Sequence, residues 1–95
     1  MLTLDNAIGG KLVRSASTRT QPIFNPATGE ASGTLPLSTL AEVNAAVAAA
    51  KKAFPAWANT TPMKRARVMF KCKELLEKRA DDVARLISDE HGKVH

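Results

Sequence analysis

TLAEVNAAVAAAKKAFPAW, residues 39–57, is the most regular stretch of the chain. Leu40, Val43, Val47, Ala50, Phe54 and Trp57 recur at steps of three and four, which places them on one stripe of a helix. Thr39 can cap the first turn, and Glu42 stands three residues on, where a capping box needs it. Ala41, Ala45, Ala48, Ala49 and Ala53 favour helix without adding bulk, so neighbours can approach closely. Pro55 biases Phe54 away from the helical region, so the predicted helix covers 39–54 and ends or kinks there.

Upstream the pattern changes to strands and turns. Residues 7–13, AIGGKLV, read as a short strand entered through a Gly9-Gly10 kink. A polar loop follows, and 20–24 reads as a second strand, which can pair with the first as a long-looped hairpin. NPATGE, residues 25–30, is a turn: Pro26 fixes φ, Asn25 bonds forward, and Gly29 accepts positive φ. Residues 31–37 alternate Ala31, Gly33, Leu35 and Leu37 against Ser32, Thr34 and Pro36, a third strand that Pro36 confines to an edge or to its own end.

Downstream, Thr61 and Pro62 open a helix predicted over 62–79. Lys64, Arg67, Lys71, Glu74 and Lys78 form its polar face. Ala66, Val68, Met69, Phe70, Cys72, Leu75 and Leu76 spread over more than half of its circumference. A surface helix needs only a narrower apolar stripe. This one therefore expects neighbours on two sides, more than three short strands and two helices supply. A third helix is predicted over 80–91, with Val83, Leu86 and Ile87 inward, Asp81 and Asp82 at its positive end, and Gly92 as its stop. The fold class is α+β: a short antiparallel β element over 7–37, then three helices, dividing the chain into strands and turns (1–38) and a helical part (39–95).

The totals suit a globular chain: 95 residues, 44% hydrophobic and 24% charged. Phe24, Phe54, Trp57 and Phe70 are few aromatics for a core that stands alone. The formal net charge of +5 permits acidic partners without selecting them. Cys72 is the single cysteine, which excludes a disulfide within the chain and suits a reducing compartment. The first twenty residues hold Lys11, Arg14 and Arg19, but Asp5 and the missing amphipathic stripe argue against a mitochondrial presequence. No apolar run is long enough to span a bilayer, and a soluble, cytoplasmic protein is expected.

Each candidate site has a plainer explanation. Gly10-Lys11 and Gly92-Lys93 lack the other residues of a phosphate loop, with Asp5 and Ile87 where its first glycine belongs and Leu12 and Val94 where its Ser/Thr belongs. Glu90, His91 and His95 do not make a zinc site, because Gly92 breaks the helix that would align them. Cys72 sits in the apolar arc with no partner base, so a buried, inert thiol is expected. The basic face of the second helix has no interleaved aromatics for base stacking, and Lys73, inside the arc, reads as a snorkelling stem. No catalytic, cofactor-binding or metal-binding residue is assigned.

IFNPATGE, then EVNAAVAAAKKAFPAW, then TPMKRARVMFKCKELLEKRADDVARLISDEHGK, resembles the N-terminal portion of the aldehyde dehydrogenase superfamily. The order and spacing of NPATGE, AF-x-x-W and EHGK carry the resemblance, which covers about residues 8–93. The FNPATGE start and the RARVMFKxKELLE run favour its CoA-acylating methylmalonate-semialdehyde branch. Cys72 departs from that branch, which has phenylalanine in an F-K-F-K pattern. The resemblance implies a parent chain several-fold longer, with cofactor-binding, catalytic and oligomerisation domains. It implies NAD and coenzyme A as cofactors, a small aldehyde as substrate, the rest of the parent chain as partner, and a homo-oligomer. The family's nucleophilic cysteine, oxyanion-hole asparagine and nucleotide-contacting residues map onto no position here, and Cys72 is not the nucleophile. The chain is expected to be a truncated, inactive N-terminal region whose helices pack on the cofactor-binding domain. A self-contained helical interaction or nucleic-acid module is the alternative.

Overall fold

The computed structural model describes residues 2–92. Among these residues five strands precede three helices: β1 (Leu2–Thr3), β2 (Asn6–Ile8), β3 (Lys11–Val13), β4 (Thr20–Phe24), β5 (Ala31–Pro36), α1 (Leu40–Ala58), α2 (Pro62–Lys78) and α3 (Ala80–His91). The α+β reading of the sequence holds. Strand pairing differs from the expectation in one place. The 7–13 stretch does not pair with 20–24; it folds on itself as the antiparallel β2–β3 hairpin, with Ala7 opposite Leu12. Gly9 and Gly10 are its turn, at φ 60° and 78°. A two-residue turn with positive φ at both positions matches strand twist, and paired glycines adopt it without a Cβ penalty.

The other sheet has the order β1-β5-β4. β4 and β5 pair antiparallel across the Asn25–Gly29 turn, with Thr20 opposite Pro36 and Ile23 opposite Gly33. The turn closes through Gly29 N–H donating to the Asn25 carbonyl at 2.7 Å, and Asn25 Oδ1 accepts from Ala27 N–H at 2.9 Å. Pro36 is the last residue of its strand, as a proline without a ladder donor should be. The short β1 adds to the other side of β5 in parallel, with Leu2 opposite Gly33.

The capping box at the start of α1 forms as the sequence indicates: Thr39 accepts from Glu42 N–H, and the Glu42 side chain accepts from Thr39 N–H. The helix does not end at Phe54. It runs through Pro55 to Ala58. Proline removes one backbone donor, and in the last turn that is a small loss. The carbonyls beyond it are taken up, Pro55 by Asn59 N–H at 3.0 Å, Trp57 by Thr60 N–H at 3.1 Å, and Ala56 by the Thr60 hydroxyl at 2.8 Å. Thr61 then caps α2 by accepting from Lys64 N–H, with Pro62 at the first helical position. Arg79 alone joins α2 to α3: its N–H donates to Leu75 and Leu76, and its carbonyl accepts from Val83. Gly92 ends α3 in the left-handed region, at φ 75°.

These elements make a slab of 47 × 36 × 15 Å with a radius of gyration of 17.0 Å. A compact chain of this length has a radius near ~12 Å. Among the described residues only Gly33 is buried, and no hydrophobic side chain is. The accessible surface is 7944 Å², where size scaling gives about 5,300 Å² for a compact monomer of this mass. The neighbours that the broad apolar arc of α2 called for are not supplied by the other elements described.

Candidate docking face

The apolar side chains of the helices point outward together. On α1 the residues half-buried against the strands are Glu42, Ala46 and Ala49, while Leu40, Val43, Val47, Phe54 and Trp57 stay open. The short alanines let α1 lie close to β2, while Val43 and Val47 line a small cleft beside it and stay exposed. On α2, Met63, Met69 and Phe70 are exposed, Phe70 to 69%. Val83 of α3 is half-buried, but Leu86 and Ile87, expected inward, are 62% and 50% exposed.

Between α2 and α3 runs an open cleft of about 580 Å³. Val68, Cys72, Leu75, Leu76, Val83 and Leu86 form its apolar lining, with Lys71, Arg79 and Asp82 beside them. Arg79 is the single residue between the two helices, and the cleft lies beside it, with Arg79 and Asp82 at its edge. A smaller cleft, lined by Leu2, Ile23, Gly33, Leu86 and Asp89 among others, separates α3 from the sheet. The end of α3 touches the Asn25–Gly29 turn, where a Cβ on Gly92 would stand 3.4 Å from Pro26 Cγ.

Cys72 is exposed on the cleft wall, not buried as expected. The physical reason is the missing cover: an apolar arc buries a thiol only when something lies over it. The Lys73 ammonium pairs with Glu77 at 3.2 Å on the solvent side. On the polar face, Glu74 takes Lys71 at 3.6 Å and Lys78 at 3.5 Å. Three of the lysines that could have met phosphates are thus in exposed ion pairs, each a weak interaction. Gly10-Lys11 lies in the β2–β3 hairpin and offers no helix start to a phosphate. Glu90 and His91 are exposed at the end of α3, while Lys93, Val94 and His95 lie outside the described residues. Among the described residues no group of three or more His, Cys, Asp or Glu is placed to hold a metal. No helix among the described residues is long and apolar enough to cross a membrane.

One polar cluster was not visible from the sequence. Glu42 is more than a helix cap. Its Oε2 accepts from Ser15 Oγ at 2.6 Å and Asn6 Nδ2 at 3.4 Å, and its Oε1 accepts from Ala16 N–H at 2.9 Å. Asn6 also bonds Ser38 at 3.1 Å. The Ser15 hydroxyl, then the Ala16 amide, hold the Glu42 carboxyl below its ordinary pKa, because both donate to the charged form.

Large apolar side chains of all three helices are thus exposed. The aldehyde dehydrogenase family model matches residues 12–95. Malonate-semialdehyde dehydrogenase 1 of Geobacillus thermodenitrificans (strain NG80-2) is 46% identical over 91 residues, which is 96% of this chain and 19% of that protein. The chain therefore spans about a fifth of the length of the curated relatives it matches. The crystal structure of methylmalonate-semialdehyde dehydrogenase from Oceanimonas doudoroffii superposes with a TM-score of 0.88 at 53% identity, covering 96% of this chain and 18% of that one. A putative methylmalonate-semialdehyde dehydrogenase from Sinorhizobium meliloti 1021, complexed with NAD, gives 0.89 at 46% identity, again over 96% of this chain and 18% of that one. With a family match over most of its length and near-superposable neighbours, the chain belongs to the aldehyde dehydrogenase family.

Proposed function

We propose that this chain is the N-terminal portion of an NAD-dependent, CoA-acylating methylmalonate-semialdehyde dehydrogenase, and that its own part is structural. Its helices supply a docking face for the remainder of the parent chain, packing on the cofactor-binding domain. The parent converts methylmalonate semialdehyde to propionyl-CoA and acts as a homo-oligomer. In it a cysteine thiolate from outside this stretch would attack the aldehyde to give a thiohemiacetal, and loss of hydride to NAD would leave a thioester. Transfer of the acyl group to coenzyme A, with loss of the carboxylate as carbon dioxide, would complete the reaction; the covalent thioester divides a hard oxidation into two easier steps. The chain alone is inactive.

The observation that carries this reading is the surface. The chain exposes roughly 2,600 Å² more than a compact monomer of its mass, and large apolar side chains of all three helices, with several from the strand region, are among the exposed residues. That is the scale of an obligate interface. The described residues do not fit a dinucleotide or coenzyme A. Gly9 and Gly10 are spent on a hairpin turn, and Cys72 faces a largely apolar cleft with no histidine among its lining residues. No step of the chemistry is assigned to them.

The test is reassembly. The Oceanimonas doudoroffii relative is produced without the stretch that matches this chain, and the two pieces are mixed. Neither piece alone should form NADH from methylmalonate semialdehyde and coenzyme A; the co-purified pair should. NADH formation by this chain alone, or full activity of the shortened relative alone, would overturn the reading. Comparison of methylmalonate with malonate semialdehyde in the reassembled enzyme tests the substrate.

A further inference from the structure

Among the described residues no hydrophobic side chain is buried, so something else must hold the strand region on the helices. The β2–β3 hairpin belongs to a separate sheet from β1-β5-β4. Its main contact outside itself is β2 against α1, over a small cleft lined by Asn6, Ala7, Ile8, Glu42, Val43 and Val47 among others. At that contact one carboxylate gathers donors from three separate segments: Asn6 on β2, Ser15 and Ala16 on the loop after β3, and Thr39 at the helix cap. Ser15 and Glu42 are 27 residues apart and Asn6 and Glu42 are 36 apart.

We propose that Glu42 is a carboxylate latch: in its ionised form it holds the β2–β3 hairpin and the following loop against the start of α1, and its protonation releases them together. Only the ionised group offers both oxygens as acceptors to four donors at once. Protonation turns one of those oxygens into a donor facing other donors. The other charges on the elements packed here do not replace it. Asp5 is paired with Arg14 at 2.9 Å, Lys11 is at the hairpin turn, Arg19 is at the far end of the loop, and Lys51 and Lys52 are two turns or more along α1.

The sign follows from the direction of the shift. Glu42 sits below the ordinary value of 4.5 in the folded chain. Its contribution is therefore fully present above that value and is lost as pH falls through the lowered folded one.

The experiment is an NMR titration of the 95-residue chain with amide exchange, corrected for intrinsic rates at each pH. The Ala16 amide shift should inflect together with the Glu42 carboxyl, and protection of the β2–β3 amides should fall over the same range. Glu42→Gln should remove the inflection and make hairpin protection independent of pH in that range. Glu42→Ala should raise exchange at Ala16 and the hairpin roughly tenfold at neutral pH, leaving β4–β5 unchanged. Ser15→Ala, which keeps the helix cap, should move the Glu42 inflection up toward its ordinary value. An Ala16 amide that does not follow Glu42, or a hairpin equally protected in Glu42→Ala and the parent sequence, would overturn the latch.

Discussion

Gly33 lies so close to Leu2 that a Cβ carried at position 33 would stand 2.8 Å from the Leu2 carbonyl oxygen. Ile23 closes the same spot from the other side, with its Cδ1 3.5 Å from that position. Gly33 is also the one buried residue among those described, so this approach is what lets β1 join β5. Gly33→Ala should therefore displace β1, at a cost of about 1–3 kcal/mol for the overpacked site. β1 is two residues long and gives way more easily than the β4–β5 ladder. The Leu4 amide, which donates to the Thr34 carbonyl at 3.1 Å, should exchange faster while the amides of β4 stay protected. Unchanged exchange at Leu4 would show that β1 tolerates the methyl group.

Pro55 yields a second prediction. Since α1 continues to Ala58, the proline sits in a helix that already forms, lacking one donor. Pro55→Ala restores that donor and removes the ring from the preceding turn. An interior proline costs about 3 kcal/mol; in the last turn, and against the unfolded-state freedom regained, a net gain of roughly 1 kcal/mol is expected. Denaturant unfolding followed by helix signal checks it. A loss of stability would mean that the proline ring packs usefully where α1 ends.

What was legible in the sequence was local. Thr39 with Glu42, Thr61 with Pro62, and Asp81 and Asp82 ahead of Gly92 fixed the starts of α1 and α2 and both ends of α3, because caps act within one turn. The helix passes Pro55 because the rule for the residue before proline is a bias, and the last-turn carbonyls of Pro55 and Trp57 find donors in the Asn59 and Thr60 amides. Two glycines between short apolar runs suit a kink or a hairpin turn alike, and Gly9-Gly10 take the turn. The Glu42 cluster was out of reach, since its partners lie 26 to 36 residues away and meet only once the hairpin has docked. The breadth of the apolar arc on α2 did announce an open face. It could not announce that Cys72 would be left uncovered, because burial belongs to whatever lies over a helix.

Thr61 should behave as a separable cap. Its hydroxyl accepts from Lys64 N–H at 3.3 Å. Thr61→Ala should destabilise α2 by about 1 kcal/mol and lower the helix signal. Thr61→Ser, which keeps the oxygen, should restore most of it. Equal losses in both variants would point to the methyl group of Thr61 instead of its oxygen.

The last prediction concerns the open cleft, and Cys72 is its reporter. The thiol is exposed beside Val68, Leu75 and Leu86, so a thiol reagent should label the dilute chain almost as fast in native buffer as in denaturant. Apolar faces of this extent do not stay wet when a partner is present. Covering even ~400 Å² of apolar surface is worth roughly 10 kcal/mol before association costs. At high concentration the chain should therefore pair with a second copy through its helices, the simplest arrangement being a two-fold contact that uses the same patch twice. Labelling of Cys72 should then slow as concentration rises, in step with the dimer fraction seen by sedimentation. Adding the shortened relative should slow it further, by placing the natural cover over the cleft. A chain that stays monomeric at high concentration, binds no apolar dye and labels at one rate throughout would mean that the helices satisfy one another in solution, contrary to the open cleft between α2 and α3.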